Sequence, residues 1–126
     1  MNTIQLRAAG AGLFFLFIFL SGLWLSRLGK PYPGIPFNIH KFIALGAVVF
    51  LGLTVRQLSQ GALLSTLQIA AVVLTGLCFL VTVITGGLTS IETPMPVIVP
   101  KLHLVMPFVT LLSSAAALAL MAAHSG

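Results

Sequence analysis

Aspartate is absent from this chain and glutamate occurs once, at Glu92. Paired carboxylates for glycoside or peptide hydrolysis cannot be assembled from that inventory, nor can an oxygen cage for calcium or magnesium. Cysteine also occurs once, at Cys78, deep in an apolar segment. No intramolecular disulfide can form, and the thiol reads as a small buried hydrophobe. P-loop, HExxH, GxSxG and CxxC patterns are all missing, which argues against a nucleotide-driven pump or a hydrolase. Charge of either sign is scarce: 6% of residues are charged and 59% are hydrophobic. That balance lies far outside soluble composition and marks a membrane protein. The formal charge of +5 comes from Arg7, Arg27, Lys30, Lys41, Arg56 and Lys101. These cations stand at the ends of apolar runs, where they meet lipid headgroups, so nucleic acid is discounted as a partner and the lipid bilayer is expected.

The abundant residues fall into four apolar runs, each near the roughly 20 residues that cross a bilayer. The expected helices cover 8–26, 39–55, 67–88 and about 101 or 102 to 123. The first continues past Arg7 without a small-x-small cleavage site, so it reads as a retained helix and not as a signal peptide. Pro31, Pro33 and Pro36 interrupt the first connection, after which Asn38 is a natural N-cap for the second helix. A short polar link over 57–65 joins the second helix to the third, and a second Pro-rich loop over 89–100 precedes the fourth. Pro107 is expected to kink the fourth helix modestly. Arg27, Lys30, Lys41 and Lys101 share the side of the Pro-rich loops, against Arg7 and Arg56 on the side of the termini. The positive-inside rule then puts the loops in the cytoplasm, and a bacterial inner membrane is the expected location.

The chain repeats itself. Shifted by 64 positions, Gly12-Leu13 matches Gly76-Leu77, Phe15-Leu16 matches Phe79-Leu80, and Ser21-Gly22 matches Thr85-Gly86. One residue is lost in the loop, and at a shift of 63 Pro31, Pro33 and His40 match Pro94, Pro96 and His103. Two tandem two-helix repeats follow, about 8–58 and 66–123, within one transmembrane domain. Because two helices separate equivalent positions, the repeats share one orientation and are related by a pseudo-twofold axis along the membrane normal. The expected fold is an all-α integral membrane four-helix bundle. His40 and His103 then lie at one depth, facing each other, with Gly22 and Gly86 opening space beside them. The His40 face carries Ala44, Ala47, Leu51 and Thr54, and the His103 face Met106, Pro107, Thr110, Ser114 and Ala117; both stripes are small or mildly polar and read as inward.

A histidine at a helix end is more often an interfacial residue than a ligand, and His124 is read only in that way. The duplicated pair is different. Two imidazoles on opposite sides, small flanking residues and no carboxylate suit haem, whose iron takes axial histidines and whose propionates need cations. His40 and His103 are the candidate iron ligands; Gly22, Gly86, Arg27, Lys30, Lys41 and Lys101 are the candidate haem contacts. On these residues and the four spans the chain resembles the membrane b-type cytochromes with a four-helix core, the quinone-, hydrogenase- or ascorbate-linked class. The resemblance implies a single-haem electron carrier, or a component of a quinone-linked oxidoreductase, working at one membrane face. Quinone and a redox partner protein are its implied partners, and a homo-oligomer is left open. Two other classes stay open: a Cu(I) site using the same histidines with Met95 or Met106, and a metal-free structural or assembly subunit.

Overall fold

In the computed structural model, residues 2–60, 63–91 and 93–125 are described, residues 124 and 125 without their side chains. Four α-helices account for nearly all of them: α1 Thr3–Leu28, α2 Gly34–Ser59, α3 Thr66–Ser90 and α4 Ile98–Ser125. With 25 to 28 residues each, they are about 38–42 Å long, enough to cross roughly 30 Å of hydrocarbon. All four are apolar enough to do so, consistent with an integral membrane protein. Large apolar side chains line the outside, among them Leu13, Phe17, Phe42 and Leu104, an arrangement that lipid tolerates and water does not.

Every helix starts earlier than its apolar run. For α1 and α3 the cause is a capping box: the side chain of Asn2 accepts from the Gln5 N–H while Gln5 reaches back, and Ser65 and Gln68 do the same. For α2 and α4 it is a proline in the third helical position. Pro36 and Pro100 each fall in a first turn, where a missing N–H costs nothing. Asn38 is therefore not a cap but an interior residue of α2, whose N-cap is Pro33 with no side-chain bond. Lys101 likewise lies inside α4. Gly29, at a φ of 74°, takes the left-handed geometry that ends α1.

The helices pair as two hairpins, α1 on α2 and α3 on α4, with α4 also touching α2 and α1, both lightly. The hairpins are held by different means. In the first, rings fill glycine notches reciprocally: Phe50 covers Gly10 and Phe14 covers Gly46. In the second, hydroxyls pair across the seam, Thr82 with Thr110 at 3.1 Å and Thr75 with Ser113 at 2.7 Å, and Gln68 donates to the Leu120 carbonyl. Such bonds stabilise helix pairs in lipid by about 0.6 kcal/mol each. The inward faces match the pattern read from the sequence. Ala47, Leu51 and Thr54 are buried on α2, and the residues 63 positions on, Thr110, Ser114 and Ala117, are buried on α4. Phe15 and its repeat counterpart Phe79 meet with ring centroids 5.9 Å apart, a contact expected of residues astride a twofold axis.

Candidate functional site

His40 and His103 both occupy the second turn of their helices, half-buried, at the end of the bundle that carries the Pro-rich loops. Each ring is seated against the preceding helix of its own hairpin. A Cβ placed on Gly22 would stand 3.2 Å from His40 Cε1, and one on Gly86 would stand 2.7 Å from His103 Cε1. The space that the sequence assigned to a cofactor beside these glycines is thus taken first by the imidazoles.

The residue before each glycine holds the ring nitrogen. Ser21 Oγ lies 2.7 Å from His40 Nδ1 and donates its own proton to the Ile18 carbonyl. With that proton committed, Oγ accepts from Nδ1–H. His103 Nδ1 lies 3.0 Å from the Thr82 carbonyl and 3.3 Å from Thr85 Oγ1, whose proton goes to the carbonyls of its own helix. A carbonyl can only accept, so His103 Nδ1 carries the hydrogen. On these bonds both rings, when neutral, are assigned as Nδ1–H tautomers, with the lone pair on Nε2. Among the described residues neither Nε2 has a hydrogen-bond partner. This is the arrangement by which a ligand histidine is oriented: one ring nitrogen anchored, the other offered.

The contact between α2 and α4 is light beside that within either hairpin, as is the contact between α1 and α4. Pro107, four residues beyond His103, has no N–H to offer the His103 carbonyl, which loosens α4 at the same level. Among the described residues no group of three or more His, Cys, Asp or Glu forms. Two imidazoles alone suit a metal that brings its own remaining ligands better than a bare ion needing four protein donors.

The four cations at this end are exposed. Arg27 closes α1, Lys30 Nζ donates to the Ile91 carbonyl and so ties one Pro-rich loop to the other, and Lys101 stands two residues before His103. Lys41 lies over the Phe37 ring at 5.4 Å, and Tyr32 stacks on the same ring. Met106 is one turn from His103 on α4, and Met95 lies in the second loop. Cys78 is buried, as its setting implied. Glu92 and the His124 side chain lie outside the described residues. Ser21, Thr82 and Thr85 are the site residues that reasoning from sequence missed, although the recurring hydroxyl-then-glycine pair carried the signal. Compared with protein-family models, curated proteins and solved structures, the chain matches none.

Proposed function

We propose that this protein is a membrane electron carrier that would hold one haem b between α2 and α4, with His40 and His103 as the residues that bind its iron. The observation that carries the reading is the pair of Nδ1-anchored imidazoles, each leaving an Nε2 lone pair unused. Haem, when bound, supplies one-electron chemistry. The chain's part is to present Nε2 from both sides, to lock the tautomers through Ser21, Thr82 and Thr85, and to offer Arg27, Lys30, Lys41 and Lys101 to the propionates. One ligand pair near one face exchanges electrons at that face and does not span the bilayer. Quinone arriving through the membrane, or a redox protein at the loop side, is the proposed partner, with the Pro-rich loops in the cytoplasm. Titration of purified protein with hemin tests the reading: one haem per chain is expected, and none for His40→Ala or His103→Ala.

A second reading rests on the seating of each ring against glycine. There the histidines are clasps that hold α1 to α2 and α3 to α4 in a structural or assembly subunit. Absence of haem uptake, with loss of stability in His40→Ala, is its signature. Copper bound at one equivalent and lost in Met106→Ala would instead identify a histidine–methionine copper site.

A further inference from the structure

At the end of the bundle opposite the histidines, the first hairpin fixes a cation in place. Arg7 continues the buried stripe of α1, one turn before Ala11, and is half-buried. Its Nε donates to Gln57 Oε1 at 2.7 Å, and its Cζ lies 5.3 Å from the centroid of the Phe50 ring. Phe50 is itself wedged into the notch at Gly10, where a Cβ would stand 2.6 Å from the ring. A ring and an amide thus orient the guanidinium, and the fork of Nη1 and Nη2 has no partner among the described residues. The repeat does not ask for this arrangement, since Ala71 and Leu120 stand where Arg7 and Gln57 would recur.

Charge, depth and shape select the ligand. Arg56, next to Gln57, is an exposed second cation at this end, and the chain's one acid, Glu92, falls in the connection between α3 and α4 at the other end. Two parallel N–H donors in a plane match a pair of phosphate oxygens. A span of about 20 residues centred on α1 begins near residue 6, so Arg7 stands at the hydrocarbon boundary, within reach of lipid phosphates. Ile4 and Ala8, one turn before Arg7 and one residue after it, open an apolar cleft of about 310 Å³ between α1 and α4. It continues past Gly12 to Phe15, about 16 Å along the helix, a slot suited to one hydrocarbon chain. An anion that carries such a chain satisfies both features. Two cations with no acid beside them favour a headgroup of net negative charge over one whose phosphate brings its own ammonium.

We propose that the terminus-side end of the bundle binds one anionic phospholipid, its phosphate held by the Arg7 Nη fork and one acyl chain lying in the α1–α4 cleft. The site does not use the histidines and stands or falls apart from the haem reading. The test is native mass spectrometry of delipidated, haem-free protein titrated with phosphatidylglycerol. Phosphatidylcholine with the same chains is the zwitterionic match, and inorganic phosphate in molar excess is the headgroup anion without chains. One phosphatidylglycerol per chain is expected, bound about tenfold or more tightly than phosphatidylcholine and not displaced by inorganic phosphate. Arg7→Lys keeps the charge but removes the fork, and should weaken binding about tenfold. Gln57→Leu should weaken it about threefold by releasing the guanidinium, with the preference for phosphatidylglycerol kept. A Cβ on Gly12 or on Gly76 meets nothing within 4 Å, so both positions accept a larger side chain. Gly12→Leu fills the α1–α4 cleft and should weaken binding at least tenfold, whereas Gly76→Leu, in the separate cleft between α2 and α3, should leave it intact. If Gly12→Leu does not accumulate, Ala115→Val fills the same cleft from α4. Equal affinity for the two lipids, unchanged binding in Arg7→Lys or in the cleft-filling variant, or displacement of the lipid by inorganic phosphate would overturn the proposal.

Discussion

Replacing Gly86 by alanine asks whether the glycine seats the imidazole, and the answer differs by a calculable amount from the same change at Gly22. A Cβ at Gly86 would lie 2.7 Å from His103 Cε1 and 3.2 Å from Nδ1, so the ring must retreat about 0.8 Å to reach ordinary carbon contact. It retreats from α3, the helix that carries its acceptors. The 3.0 Å bond to the Thr82 carbonyl then stretches to about 3.8 Å, beyond hydrogen-bond range. Overpacking costs about 1–3 kcal/mol and the orphaned Nδ1–H about 1–3 kcal/mol. Helix propensity returns about 1 kcal/mol. The net is a loss of about 1–5 kcal/mol. At Gly22 the contact is 3.2 Å, the retreat about 0.3 Å, and the Ser21–His40 bond lengthens from 2.7 Å to about 3.0 Å, still intact. Gly22→Ala should therefore lie within about 1 kcal/mol of the parent, since propensity offsets the strain. Reversible unfolding in mixed detergent, followed by circular dichroism, measures both. Equal damage from the two variants, or none from either, would refute the seating argument.

The tautomer assignment makes its own prediction: nitrogen NMR of the imidazoles should report Nδ1–H at both sites, and Ser21→Ala should turn His40, but not His103, into a mixture of tautomers. In haem-loaded protein, changing His40 or His103 alone should abolish the low-spin spectrum, whereas changing His124 should leave it intact. The first hairpin depends on its notches. Gly10 admits Phe50 so closely that a Cβ would stand 2.6 Å from the ring, so Gly10→Leu should destabilise by about 1–3 kcal/mol or more, while Gly12→Leu, which meets open space, should cost far less in the same detergent unfolding assay.

What could be read from the chain and what could not divide along physical lines. Helix number, the two breaks and the inward faces were legible because a span needs about 20 apolar residues and because Ala47, Leu51 and Thr54 recur as Thr110, Ser114 and Ala117 in register. Helix starts were not, because apolarity does not report capping. The N-x-x-Q of Asn2 to Gln5 and the S-x-x-Q of Ser65 to Gln68 carry that information in polar residues outside the runs, and Pro36 and Pro100 look like breakers until a first turn absorbs them. At the candidate site the histidines and glycines stood out through the repeat. Which atom each glycine accommodates was hidden, since a glycine marks a close approach without naming what approaches. The hydroxyl pairing within the second hairpin depends on side-chain rotamers that only packing decides.

The central claim is that the two Nε2 atoms are ligands waiting for haem. Its most direct test is the visible spectrum of protein produced with haem in excess, recorded before and after dithionite. A red protein with sharp reduced α and β bands of six-coordinate low-spin haem is the predicted result. A colourless protein that yields no haem on pyridine extraction would contradict it.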